Sequence, residues 1–135
     1  MNRLFLDTGY IIALDASDDQ NHAAAIRHWQ GLAPTRPRLV TTSYILDEAV
    51  TFFNSRGFHA KAIQVGTRLL SSSSVHLVHV QEAEFFAAWD YLKQRGDKTY
   101  SLTDCVSFIV MEQLGIKSAL AFDRHFKQAG FQKLP

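Results

Sequence analysis

Apolar residues along the chain fall into two kinds of run, short unbroken ones and longer ones that recur every three or four positions. The first kind suits strands buried on both faces of a parallel sheet, and the second suits the helices that cover such a sheet. Leu4, Phe5 and Leu6 form the first short run, ended by Asp7. The small pair Thr8-Gly9 then turns into Tyr10 to Leu14, a short helix closed by Asp15 to Asp19. Ala25, Ile26, Trp29 and Leu32 make the stripe of a second helix, which Asp18 or Asp19 can cap and which leaves His22 and His28 at the surface. The prolines of Ala33 to Arg38 break that helix, and Leu39 to Thr42 reads as the second strand.

A third helix follows at once, with Ser43 as its expected cap, Leu46, Ala49, Val50 and Phe53 on one face, and Gly57 at its end. Phe58, Ala62, Val65 and Leu69 define a fourth, stopped by Ser71 to Ser74. Val75 to Val80 reads as a strand, and Phe85, Ala88, Trp89 and Leu92 as the stripe of the next helix. The charged stretch Lys93 to Lys98 is read as a loop. Cys105 to Met111 has almost no polar face, so its helix is expected to be buried, with Thr103 as cap, Asp104 in the first turn and Gly115 at the end. Ala119 to Phe122 is a last short strand, ended by Asp123, and Arg124 to Ala129 begins a final helix. Phe131 to Leu134 can add an edge strand. Strands separated by one or two helices predict an α/β fold, a three-layer α/β/α sandwich around a mainly parallel sheet.

Composition refines this. A chain of 135 residues, 47% hydrophobic and 20% charged, fits one soluble globular domain spanning 1–135. It contains no apolar run long enough to span a bilayer, and MNRLFLD lacks the design of a secretory signal, so a cytoplasmic protein is expected. The one cysteine, Cys105, allows no internal disulfide. Bases exceed acids by one, but setting aside Asp7, Glu48, Asp104 and Asp123 leaves nine acids against 14 bases. That surplus suits an anionic substrate around an acidic hole.

Those four acids are the candidate chemistry. Asp7 and Asp123 end strands, while Glu48 and Asp104 occupy early turns of helices. In a parallel sheet the strand carboxyl ends and the helix starts that follow share one edge, where ligands bind. For Asp7 alone, helix capping is an equally good account, and Glu48 alone could be an ordinary exposed residue. Together, four like charges repel unless a cation joins them. Carboxylate oxygens suit Mg2+ or Mn2+, and His76 and His79, three apart on a strand, point to opposite faces and cannot chelate one ion. Phosphodiester hydrolysis is the natural chemistry of such a site. Arg124, beside Asp123, and Lys93, Arg95 and Lys98, before Asp104, are candidates for substrate phosphates.

LFLDTGYIIAL, the Asp-Glu-Ala of the third helix, SLTDCVSF and AFDRHF resemble, in order, the four acidic motifs of PIN-domain ribonucleases, above all the VapC toxins of toxin-antitoxin pairs. The resemblance covers essentially the whole chain. It implies a five-stranded parallel sheet, Mg2+- or Mn2+-dependent RNA cleavage, a homodimer, and an antitoxin that fills the active-site groove. It makes Asp7, Glu48, Asp104 and Asp123 the metal-binding catalytic acids and gives Thr8 the task of orienting Asp7 or a metal-bound water. One departure is Ala121, where many relatives carry Thr or Ser. The alternatives are a PIN-fold nuclease of RNA processing, which a neighbouring antitoxin gene would separate, and a non-catalytic binding module, which the intact acids oppose. An aspartyl phosphatase of the haloacid dehalogenase type would need an acid where Gly9 stands.

Overall fold

The computed structural model describes residues 3–135; Met1 and Asn2, the start of the segment read against a secretory signal, lie outside the described residues. The elements are β1 (Arg3–Leu6), α1 (Thr8–Asp15), α2 (His22–Leu32), β2 (Arg38–Thr42), α3 (Ser43–Ser55), α4 (His59–Ser71), β3 (Val75–Val78), α5 (Glu82–Lys93), α6 (Leu102–Leu114), β4 (Ser118–Leu120), α7 (His125–Gln128) and β5 (Gln132–Leu134). A short 3-10 turn, Ala33–Thr35, precedes β2. Among the described residues no helix is long and apolar enough to cross a membrane.

The five strands form one sheet in the order β3-β2-β1-β4-β5, with every pair parallel. This is the α/β sandwich that the alternation of runs predicts, with the edge strand at the end of the chain. From β1 the chain steps outward to β2 and β3, then returns to lay β4 on the other side of β1. The direction of winding therefore reverses between β1 and β4, and a crevice opens there at the carboxyl ends of the strands. The Asp7 amide donates to the Leu120 carbonyl at 3.1 Å, which ties the two strand ends together.

Helix α1 packs on α2 and α3, and α3 on α4, while α5 packs on α6 and α6 on α7. The core between the layers is built from Phe5 and Leu6 of β1, Val40 of β2, Leu120 of β4, and Tyr10, Ile45, Val106, Met111 and Phe126 of the helices. All but Leu6 are essentially sealed from solvent. Helix α6 is the most enclosed, as its sequence predicts: Asp104 through Phe108 are buried without a break. Burying a large apolar side chain stabilises the fold by about 1.5–3 kcal/mol, so this helix and its first-turn acid are firmly placed.

Several helix starts differ from the expected ones. Thr42, not Ser43, caps α3 by accepting from the Ile45 amide at 3.2 Å, and Ser43 instead accepts from the Val80 amide at 2.9 Å. Ser101, not Thr103, caps α6. Asn21 occupies the cap position of α2, while Asp19 accepts from its amide at 2.9 Å in the turn before the helix. His22 and His28 are not surface residues: they are half-buried and bond the Ala13 carbonyl at 2.7 Å and the Tyr10 hydroxyl at 2.8 Å, fastening α2 to α1. Strand β3 stops at Val78, and β4 stops at Leu120, three residues short of Asp123.

Candidate active site

Asp7 stands at the N-cap position of α1 yet makes no capping hydrogen bond, so capping does not account for its carboxylate. The side chain is buried, and its pKa is pushed up to about 7. Burial is the largest cause, followed by the charge of Asp104, with Asp123 and Glu48 adding to it; the Thr8 backbone works in the opposite direction. All three other candidate acids therefore lie close enough for their fields to reach Asp7. The four carboxylates that the sequence singled out stand along one sheet edge, but among the described residues only Asp104 and Asp123, with His125, are close enough for their atoms to share one ion.

Each of the other three is held by a different device. Glu48, half-buried in the second turn of α3, accepts a 2.6 Å hydrogen bond from the Thr8 hydroxyl. Thr8 thus holds Glu48 and makes no such bond to Asp7. Asp104 belongs to a reciprocal capping box: its amide donates to the Ser101 hydroxyl at 2.9 Å, and its Oδ2 accepts from the Ser101 amide at 3.1 Å. The Ser-x-x-Asp spacing that makes this box also fixes Asp104 at the helix start. Asp123 accepts from the His125 amide through Oδ1 at 2.9 Å, its side chain 40% accessible against 12% for Asp104.

His125 was missed by the reading of the sequence. Its Nδ1 lies 2.9 Å from Asp104 Oδ2 and 3.1 Å from Asp123 Oδ2, so one imidazole joins two of the acids. The available signal was its place two residues after Asp123, at the start of a helix.

The donor set suits a hard divalent cation. Asp7, Glu48, Asp104 and Asp123 offer only oxygen, which fits Mg2+ or Mn2+. A buried carboxyl with its pKa raised by three neighbouring acids is the state that a cation would relieve. Oxygen or nitrogen atoms of Asp104, Asp123 and His125 lie within 4.8 Å of one another. Cys105, next to Asp104, takes no part: burial is the largest cause pushing its thiol up to about 11, and a protonated buried thiol is a poor nucleophile.

The candidate phosphate-binding residues are placed less tightly. Arg124 is exposed directly after Asp123. Lys93 closes α5 and so is not in the loop; it pairs with Asp90 at 3.2 Å, while Lys98 lies 3.6 Å from Asp97. Arg95 stacks over the Tyr91 ring at 4.3 Å, and its charge reaches Tyr100 and Cys105, on either side of the capping box. Ala121 is fully buried and its amide donates to the Leu134 carbonyl at 2.8 Å, so it serves sheet packing.

The family model for the PIN domain matches residues 4–132. A protein named 23S rRNA-specific endonuclease VapC20, from two strains of Mycobacterium tuberculosis, is 35% identical over 128 residues, covering 95% of each chain. The crystal structure of Mycobacterium tuberculosis VapC20, described as a sarcin-ricin loop cleaving toxin, superposes with a TM-score of 0.85 at 33% identity, again over 95% of each chain.

Proposed function

The chain belongs to the PIN-domain family, and from that premise we propose that residues 1–135 form one metal-dependent endoribonuclease domain acting in the cytoplasm as the toxin of a toxin-antitoxin pair. The observation that carries this reading is the placing of Asp7, Glu48, Asp104 and Asp123 along one sheet edge, where burial first and then the charges of the other three acids raise the pKa of Asp7 to about 7. Their oxygens would hold Mg2+ or Mn2+. Such an ion supplies activation of water and stabilisation of charge at the phosphoryl group.

The chain's own residues prepare the rest. Thr8 and Ser101 keep Glu48 and Asp104 aimed at the common edge. Substrate lies along Arg124, Arg95, Lys93 and Lys98, whose charges neutralise phosphates on either side of the cleaved bond. The name of the mycobacterial relatives makes large-subunit ribosomal RNA the first substrate to test. An antitoxin encoded with the chain would act by covering the acidic edge, and a homodimer is the expected assembly.

Inducible expression in bacteria tests this reading. Wild type should halt growth and leave cut RNA, Asp7→Asn should do neither, and co-expression of the neighbouring gene product should restore growth. Equal growth arrest by wild type and Asp7→Asn would contradict it.

A further inference from the structure

The acids come from separate elements, so their spacing depends on what ties those elements together. Asp104 sits in the first turn of the buried helix α6, whereas Asp123 lies in the short connection between β4 and α7, where regular structure offers it little support. His125 spans the gap. Its backbone N–H donates to Asp123 Oδ1 at 2.9 Å, and its ring Nδ1 stands 3.1 Å from Asp123 Oδ2 and 2.9 Å from Asp104 Oδ2. In the neutral ring the hydrogen bond to Asp104 requires the proton on Nδ1, which leaves Nε2 to accept from the Thr99 hydroxyl at 3.2 Å.

The ring is also held from outside the site. Tyr100, itself buried, meets it edge-on with centroids 5.3 Å apart. Phe126, the next residue, is completely buried against Phe5 and Phe108, so the start of the four-residue helix α7 is anchored in the core. An imidazole fixed on three sides, with its N–H directed at Asp104 and its own backbone N–H on Asp123, is built to hold those carboxylates in place.

We infer that His125 is a positioning residue that locks Asp123 against Asp104, with Thr99 fixing its ring, and that it is not itself a metal ligand. The inference rests on the nuclease reading of this site and adds to it the part that sets the distance between two of the acids. A ligand that must be oriented is held by such partners, and removing one typically weakens metal affinity or activity by about 10- to 100-fold.

Mn2+ binding and RNA cleavage by the full chain test this with His125→Ala, His125→Asn, His125→Gln and Thr99→Val. The Asn amide occupies the place of Nδ1, whereas the Gln amide reaches only the place of Nε2. His125→Ala and His125→Gln should weaken Mn2+ binding by about tenfold or more and lower kcat with the RNA KM little changed. His125→Asn should recover most of both losses, and Thr99→Val should show a smaller loss in the same direction. Mn2+ affinity of His125→Ala equal to wild type, or rescue by Gln and not by Asn, would overturn the inference. So would a directly bound imidazole nitrogen in the electron spin echo spectrum of the Mn2+-loaded protein, which would make His125 a ligand. The ring in the wild type, read by 15N NMR, should carry a proton on Nδ1; a neutral ring protonated on Nε2 alone would remove the proposed tie whatever the variants do. Wild type that binds Mn2+ but cleaves no RNA would contradict the nuclease reading alone, leaving the affinities and the tautomer to decide the role of His125.

Discussion

Thr8 and Glu48, forty residues apart in the chain, are joined by a 2.6 Å hydrogen bond that links the start of α1 to the second turn of α3. The bond gives a half-buried carboxylate a fixed direction at the edge where Asp7 and Asp104 stand.

Removing that hydroxyl tests its role. Thr8→Val keeps the side-chain shape, frees Glu48, and should lower RNA cleavage by roughly tenfold, since loss of a hydrogen bond to a charged group costs about 1.5–3 kcal/mol. Thr8→Ser should retain most of the activity. Equal activity of Thr8→Val and wild type, measured as kcat/KM, would show that Glu48 needs no such support.

The proton affinity of Asp7 makes stability depend on pH. With a folded pKa near 7 against an ordinary 3.8, the folded state binds the proton more tightly. In chelator, stability should therefore fall as pH rises from about 4 to about 7 and level off above; each tenfold change in proton affinity corresponds to about 1.4 kcal/mol. Excess Mg2+ should flatten the fall, and Asp7→Asn should remove most of it. Denaturant midpoints across this pH range give the measurement, and a wild-type curve identical to that of Asp7→Asn would contradict the account.

Exposed aromatic and aliphatic side chains predict self-association. Phe53 is buried, and Phe52 and Phe85 are half-buried. Phe58, and Ile63 and Leu70 of α4, with Phe86 and Trp89 of α5, remain exposed. That is more apolar surface than the folded chain needs to leave open. Sedimentation should find a dimer that Phe86→Ser with Trp89→Ser, or Phe58→Ser with Leu70→Ser, weakens. A monomer mass unchanged at every concentration would rule the dimer out.

Phosphate contacts should appear as salt dependence. Arg124→Ala, and the triple variant Lys93→Ala, Arg95→Ala, Lys98→Ala, should bind RNA more weakly and with a flatter salt slope, each lost phosphate contact reducing the slope by roughly 0.7 to 0.9. Mn2+ affinity should stay as in wild type. Coincident binding curves for all three proteins would place the RNA path elsewhere.

The sequence carried the strands and the acids because both are periodic or terminal features: an unbroken run such as Leu4 to Leu6 ends at a polar residue that must face the sheet edge. The caps were harder to read. Thr42 and Ser43 are both good caps, and only the tertiary bond from the Val80 amide to Ser43 shows which is used for what. At α6 the choice between Ser101 and Thr103 was legible, since Ser101 and Asp104 have the spacing of a capping box. His125 left almost no trace, because its role depends on Asp104 and Thr99, more than twenty residues away, and a lone histidine beside a basic residue reads as surface. The ion pairs of Lys93 and Lys98 with neighbouring acids were likewise not separable from a free basic rim.

Cleavage of RNA by the purified, metal-stripped protein with and without Mg2+, beside Asp7→Asn and Asp104→Asn, tests most directly whether the four carboxylates form one metal-dependent ribonuclease site. Wild type should cut only when the ion is restored, and each variant should stay folded and lose activity by roughly a hundredfold or more, a change of about 2.7 kcal/mol in the barrier. Full cleavage in excess chelator, or full activity of both variants with Mg2+ present, would contradict it.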